Sequence, residues 1–295
     1  MNFRNAIPAA VFAATLLVTG CGSGSGAEDN KAVSQTPDQT ASSNTAADAA
    51  SGNKEDFKGA IDQYRQYVVE ECDEFVKLTG EFTAAVKSGD METAKSLYAP
   101  ARMHYERIEP IAEALGDLDP NIDARENDVE EQEWRGFHRI EKALWEQKTT
   151  DGQQEYADRL LSDAKLLRAK VETAEIDASL LVTGAVELLN EVSTSKVTGE
   201  EERYSHTDLY DFAANVEGAQ KIYELLKPQL EKKDAELDKQ IGARFAALNN
   251  ELAPFKKGDG YVSYTELNED EVRKLSQNLD ALAEPLSNMG KLLGV

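Results

Sequence analysis

Cysteine and histidine are scarce in this sequence, with 2 and 3 residues among 295. Basic residues are also few, since the chain has 32 Lys and Arg but 55 Asp and Glu. Nucleic acids and anionic lipid surfaces are usually bound by patches of Lys and Arg, which a net charge of −23 disfavours. Aromatic residues make up only 7% of the chain, and the abundance of Leu, Ala, Glu and Lys favours helix over strand. We therefore expect a mainly helical protein without a nucleic-acid partner.

Long apolar runs are missing except at the amino terminus, where Ala6 to Val18 follow the single basic residue Arg4. This run is shorter than the roughly 20 residues that span a bilayer, so it predicts a signal peptide over residues 1–20. The tetrapeptide Val18-Thr19-Gly20-Cys21 resembles the bacterial lipobox, in which the cysteine is lipidated. We expect Cys21 to anchor the protein outside the cytoplasm, with an ordinary secreted protein as the alternative.

The chain after Cys21 divides into two parts of different composition. Residues 21–55 contain mostly Ser, Ala, Gly, Thr and Asp, which predicts a flexible tether. Residues 56–295 form the folded domain. Lipidation of Cys21 leaves Cys72 single, and Cys72 lies on an apolar stripe at helical spacing, so we interpret it as a buried, inert thiol and not as a ligand or nucleophile.

Apolar residues recur at helical spacing through almost all of residues 56–295, and no run alternates as a strand would. One helix is predicted over Met91–Leu115, with kinks at Pro100 and Pro110, and another over Trp134–Glu146. About eight such helices with short connections predict an all-α fold of two packed four-helix bundles.

The pair His138 and Glu141 is the first candidate site. The two residues are three positions apart and therefore share one helix face, on a line with Trp134 and Trp145 that we expect to face the core. Burying such a pair without partners is costly, so its members must be satisfied by each other, by neighbours or by a metal ion. The spacing alone leaves these alternatives open.

Two further acidic groups lie close to this pair in the sequence. Glu106, Glu109 and Glu113 share a helix face about 100° from the apolar seam, so a solvated flank is the default and a ligand site the alternative. The segment Gly116–Asp123 is rich in Asp, but turn and cap chemistry also explains Asp and Pro there. The motifs of zinc proteases, serine hydrolases and phosphate-binding loops are missing from the sequence.

Four separate segments resemble one known family. They are Tyr105–Glu113, Gly116–Asp119, Gly136–Glu141 and Tyr204–Gly218, which follow one another in the order found in the imelysin-like family. Specifically, these segments resemble the EfeO/EfeM iron-uptake lipoproteins, and the resemblance spans about residues 57–295.

The resemblance implies an all-helical, extracytoplasmic protein of two bundles that binds iron and delivers it to a membrane permease, often beside a haem peroxidase. It also implies a metal site, whose residues would be Glu106, Glu109, an aspartate that is Asp123 or Asp119, His138, Glu141 and Glu201. Longer members carry a cupredoxin domain that the residues before Phe57 do not match. The resemblance therefore does not extend to the copper site or the metal-oxidation role that this domain provides in those members.

The residue chemistry is compatible with this implication. One imidazole with several carboxylates suits iron, ferrous or ferric, and zinc, manganese or copper are further candidates. We expect a binding component and not an enzyme. A metallopeptidase that holds zinc through His138 and Glu141 is the main alternative, and a polysaccharide-binding surface module is a third.

Overall fold

The computed structural model describes residues 44–295, in which helices form nearly all of the regular structure. The helices are α1 (Asn44–Ser88), α2 (Met91–Glu106), α3 (Glu109–Ala114), α4 (Leu118–Asp123), α5 (Phe137–Lys142), α6 (Gln154–Val171), α7 (Ala178–Thr194), α8 (Asp208–Lys233), α9 (Ala235–Leu252) and α10 (Glu269–Leu293). A π-helical turn, Ala143–Gln147, extends α5, and 3-10 turns cover Lys196–Thr198, Ala253–Phe255 and Tyr264–Glu266. A short antiparallel hairpin pairs β1 (Lys256–Lys257) with β2 (Gly260–Tyr261).

The helices pack as two four-helix bundles that share one hydrophobic core, as the sequence predicts. In the carboxyl-terminal bundle, α7 and α9 each pack against both α8 and α10. In the amino-terminal bundle, α1, α2 and α5 contribute a set of packed aromatic rings, in which the ring centroid of Phe82 on α1 lies 5.8 Å from that of Tyr98 on α2 and 5.5 Å from that of Phe137 on α5. Helix α6 packs against α4 and α5. Contacts between α2 and α8 join the two bundles.

The single helix predicted over Met91–Leu115 is wrong, because the chain breaks between α2 and α3. Pro110 has no N–H to donate to the carbonyl oxygen of Glu106, four residues earlier. The side chain of Asn215 on α8 replaces this donor, with Nδ2 at 2.9 Å from the Glu106 carbonyl oxygen. The regular α-helical hydrogen-bond pattern is therefore interrupted at residues 107 and 108, and helix α3 starts at Glu109.

The helix predicted over Trp134–Glu146 begins later than its apolar pattern indicates. Gly136 has a φ of +90°, outside the helical region, so α5 starts at Phe137. Trp134 is buried ahead of the helix, where its indole N–H donates to the carbonyl oxygen of Ala124 at 2.8 Å.

The predicted signal peptide, Cys21 and residues 21–43 of the tether lie outside the described residues. Helix α1 begins at Asn44, within the segment predicted as a tether. None of the helices in residues 44–295 combines the length and apolarity that a membrane span requires. Cys72 is fully buried in the core, as predicted, and burial raises the pKa of its thiol to about 12, which disfavours the reactive thiolate.

Candidate metal centre

The break between α2 and α3 turns Glu106 and Glu109 towards the interior. Asn215 donates from Nδ2 to Glu106 Oε2 at 2.9 Å and to Glu109 Oε2 at 2.8 Å. Glu106 is fully buried and Glu109 is 4% exposed, so the solvated flank that the helix pattern favours is wrong for these two residues. The side chain of Glu113 lies outside the described part of the chain.

Gly136 lets α4 and α5 approach each other closely. A Cβ atom at this position would lie 2.2 Å from the carbonyl oxygen of Ile122, so a larger residue would push the two helices apart. Asp123 ends α4 and His138 lies in the first turn of α5. Their approach places Asp123 Oδ1 3.5 Å from His138 Nε2.

His138 is a buried imidazole surrounded by three carboxylates. Its Nδ1 lies 3.1 Å from Glu141 Oε2, and its Nε2 lies 3.5 Å from Asp123 Oδ1 and 3.7 Å from Glu201 Oε1. Burial and the charge of Arg102 lower the pKa of His138, but the neighbouring carboxylates of Asp123, Glu141 and Glu201 outweigh both effects and raise it well above its usual value. Among the described residues, Nε2 has no partner within hydrogen-bond geometry, although it is completely buried.

Glu141 holds the His138 ring in one orientation. Its Oε1 accepts the backbone N–H groups of Tyr204 at 2.9 Å and Ser205 at 2.7 Å, while Oε2 faces His138 Nδ1. Burial opposes the charged form of Glu141, but these hydrogen bonds prevail and lower its pKa. Such a carboxylate fixes the ring and its tautomer, and this directs Nε2 towards the opposite side of the site.

Arg102 lies at the centre of the site, although it was not among the residues predicted from the sequence. It is fully buried, and its guanidinium nitrogens form ion pairs within 3.8 Å of five carboxylates: Glu106, Asp123, Glu201, Glu202 and Asp211. A guanidinium presents five donors in a fixed plane, so one residue can contact several acids from different helices. Burial lowers the pKa of Arg102, but these charges raise it well above its usual value and keep it protonated.

Lys196 is the second buried cation. Its Nζ lies 2.8 Å from Glu106 Oε2, 2.9 Å from Glu109 Oε2 and 3.0 Å from Glu109 Oε1. The residue begins the 3-10 turn after α7 and is 2% exposed. Glu106 is thus shared between Lys196 on one oxygen and Arg102 on the other.

Acidic groups outnumber cations in this interior. The acidic cluster consists of Glu106, Glu109, Asp123, Glu141, Glu201, Glu202, Asp208 and Asp211, whose side chains are buried or nearly so. Burial, reinforced by neighbouring carboxylates, raises the pKa of Glu202 to about 8 and that of Asp208 to about 6. Such mutual repulsion in a poorly solvated site is relieved when a multivalent cation binds.

An open acidic cleft of about 180 Å³ leads from the surface to this cluster. Carboxylates of Glu109, Asp119, Asp123, Asp128, Glu191 and Glu201 line it, together with the guanidinium of Arg125, which donates to Glu201 Oε2 at 2.7 Å. Asp119 lies at the wall of the cleft, where it accepts the Tyr105 hydroxyl at 2.6 Å. Of the two aspartates left open by the sequence, Asp123 contacts His138 and Asp119 lies farther out.

Two sets of side chains in the described residues have the proximity that a metal ion requires. They are Asp123, His138 and Glu201, and His138, Glu141 and Glu202, with ligand atoms within 4.8 Å of one another in each set. The structure thus brings together six of the sequence-derived candidates, Glu106, Glu109, Asp123, His138, Glu141 and Glu201.

Sequence reasoning missed six residues of this centre: Arg102, Lys196, Glu202, Asp208, Asp211 and Asn215. Arg102 precedes Glu106 by four positions, and Asp208, Asp211 and Asn215 follow one another at helical spacing, so each carried a weak signal. Lys196 carried none, because it lies in a short turn whose position depends on the packing of α7.

Comparison with known proteins supplies a family. The protein-family model described as imelysin, of peptidase family M75, matches residues 60–289. A protein of Staphylococcus haemolyticus (strain JCSC1435), named as an Efem/EfeO family lipoprotein, is 46% identical over 288 residues, which cover 96% of this chain and 97% of that protein. A protein of Staphylococcus aureus (strain NCTC 8325 / PS 47) with the same name is 50% identical over 244 residues, which cover 81% of this chain and 86% of that protein.

Proposed function

The chain belongs to the imelysin family, and from this premise we propose that it is an extracytoplasmic lipoprotein that captures iron and delivers it to a membrane permease. The similarity to proteins named Efem/EfeO family lipoproteins supports a role in such an uptake system. Iron is the cargo in this proposal, and the protein is a carrier and not a catalyst.

One observation carries the metal-binding part of the proposal. His138 Nε2 is buried and without a hydrogen-bond partner among the described residues, yet carboxylate oxygens of Asp123 and Glu201 lie 3.5 and 3.7 Å away. An ion seated between these atoms would replace the proton on Nε2 and neutralise both acids. Glu106 and Glu109 would complete the ligand set from the α2–α3 side, while Glu141 orients the imidazole.

The donor chemistry favours iron over softer ions. One imidazole with several carboxylates suits ferrous or ferric iron, and it also accepts zinc or manganese, whereas copper(I) prefers thiolate or thioether ligands. The acidic cleft attracts cations from solvent, since a cleft lined by charges of one sign raises the local concentration of counter-ions. Its carboxylates reach from the surface to Asp123 and Glu201, and so provide a route for the ion.

The proposed location and partners follow from the relatives and from the amino terminus. The relatives are named lipoproteins, and Cys21 follows a signal-like apolar run at a lipobox-like tetrapeptide. Replacing Cys21 with Ser should leave an unlipidated precursor, and palmitate incorporation by that variant would contradict the assignment. A membrane permease that receives the ion, and a haem peroxidase beside it, are the partners we propose.

The description of the matching family includes the word peptidase, so a zinc-dependent hydrolase is the alternative function. The geometry of Glu141 argues against a role as the catalytic base of such a hydrolase, since both of its carboxylate oxygens already accept hydrogen bonds. Incubation with casein and added zinc separates the two functions. Stoichiometric metal binding without cleavage supports the carrier, whereas zinc-dependent turnover supports the peptidase.

Calorimetry with ferrous iron, ferric iron, zinc and manganese tests the metal site. We expect wild-type protein to bind one iron ion and His138→Ala to bind it at least tenfold more weakly, with unchanged helix content. The matched control is His104→Ala, since the His104 ring also lies beside a carboxylate, with Nδ1 2.7 Å from Glu71 Oε2, but is outside the acidic cluster. Equal affinity of the wild type and His138→Ala would show that the ion binds elsewhere.

A further inference from the structure

Lys196 places a fixed positive charge inside the proposed metal site. Its ammonium makes three contacts of 2.8 to 3.0 Å with the carboxylates of Glu106 and Glu109, and the side chain is completely enclosed. Both glutamates belong to the ligand set proposed above. An ion bound by them would lie next to this ammonium, and two cations so close in a poorly solvated site repel each other strongly.

We propose that Lys196 is a tethered competitor for the metal ion: its ammonium occupies the Glu106 and Glu109 end of the site and leaves when the ion binds. This inference rests on the proposed function, because it concerns the same site. It assigns to Lys196 the control of affinity and of release.

Arg102, the other buried cation, is held far more firmly. Its guanidinium is ion-paired with acids from α2, from α4, from the loop before α8 and from α8 itself. Lys196 has a flexible four-carbon stem and a single charged nitrogen, and it starts a three-residue turn rather than lying within a long helix. The ammonium of Lys196 is therefore the charge that moves at the smaller structural cost.

The acidic cleft provides a place for the displaced ammonium. Glu109, Glu191 and Glu201 line this cleft, and Glu191 and Glu201 already interact electrostatically with Lys196. By turning towards Glu191, which lines the cleft and is only partly buried, the lysine can exchange the carboxylates of Glu106 and Glu109 for a partner nearer to solvent without losing its charge. When the ion leaves for an acceptor, the returning ammonium again neutralises Glu106 and Glu109, which favours release.

Metal affinity of Lys196 variants tests the proposal in the full chain, with zinc as a redox-stable probe and ferrous iron under anaerobic conditions. Lys196→Met removes the competing charge and should bind at least tenfold more tightly than wild type, whereas Lys196→Arg keeps the charge and should stay within about threefold. The control Lys227→Met removes a surface ammonium that pairs with Asp238 at 3.1 Å, and it should bind as wild type does. Equal or weaker binding by a folded Lys196→Met variant would overturn the proposal.

Acetylation of the wild-type full chain gives a second readout, which does not depend on how a variant folds. With acetic anhydride and mass spectrometry, Lys196 should be modified at least fivefold faster with saturating zinc than in chelator-treated protein, while the rate at Lys227 stays constant. A Lys196 that remains equally protected with zinc bound would refute displacement and leave metal binding itself intact. Wild-type protein that binds neither zinc nor iron would instead overturn the proposed function and this inference together.

Discussion

His138 Nδ1 lies 3.1 Å from Glu141 Oε2, and the second oxygen of Glu141 accepts two backbone N–H groups from the segment before α8. The spacing of three residues on α5 brings the pair together, but the backbone of another element decides its orientation. His138 therefore presents Nε2 to the acids on α4 and on the loop after α7.

Glu141→Gln should weaken iron binding by about 10- to 100-fold, because partners that orient a ligating imidazole have effects of that size. The helix content should stay unchanged, since the amide has almost the same shape. Calorimetric titration measures the affinity, and Glu146→Gln is the control, because Glu146 is largely exposed on the same stretch of chain. An affinity equal to that of wild type would show that Glu141 does not orient the ligand.

Asn215→Ala should lower the free energy of unfolding by roughly 1 to 3 kcal/mol, the usual cost of leaving buried acceptors without a donor. Asn215 supplies the hydrogen bond that Pro110 cannot make to the Glu106 carbonyl, and it also donates to Glu109. Urea unfolding measures the loss. The control Asn249→Ala removes an exposed amide that donates to Gln220 at 2.9 Å, and it should change stability by less than about 0.5 kcal/mol.

Gly218→Ala should destabilise the domain by about 1 to 3 kcal/mol, as overpacking does elsewhere. An added Cβ would lie 2.4 Å from the carbonyl oxygen of Arg107, at the break that positions Glu106 and Glu109. The same substitution at Gly59, where nothing lies within 4 Å of the added atom, should stabilise α1 by roughly 0.5 to 1 kcal/mol. Opposite signs in urea unfolding would confirm that contact with Arg107, and not helix propensity, requires glycine at 218.

Stability should fall as the pH rises from about 4.5 to 8, in part because of Glu202. The folded protein raises the pKa of this carboxyl from 4.5 to about 8, chiefly through burial. The folded state then binds a proton that the unfolded state has released, so each such group lowers stability by up to about 1.4 kcal/mol per pH unit within this window.

Glu202→Gln imitates the protonated form and should therefore reduce this pH dependence of the unfolding free energy. Urea unfolding between pH 4.5 and 8 measures the slope, and Glu200→Gln, an exposed neighbour, serves as the control. An unchanged slope in Glu202→Gln would mean that Glu202 is already ionised in the folded protein.

The centre could be predicted only in part, because several of its residues are hidden from any local pattern. His138 and Glu141 share a helix face and could be paired from spacing alone. Glu106 and Glu109 look like a solvated flank by helix periodicity, and only the break at Pro110 and the donor from α8 explain their burial. Lys196 is buried because the turn after α7 packs against α8 and α10 and its side chain reaches Glu106 and Glu109, a relationship that no neighbouring residue encodes.

By itself, the sequence determined the features that depend on neighbours along the chain. Apolar spacing specifies the long helices, and Asn268 with Glu271 specifies the start of α10, where each side chain accepts the other's backbone N–H. Only the tertiary structure decided which carboxylates form ion pairs with Arg102, which contact Lys196 and which lie beside His138. Segments far apart in sequence meet there, and the energy of a buried charge depends on every charge and dipole around it.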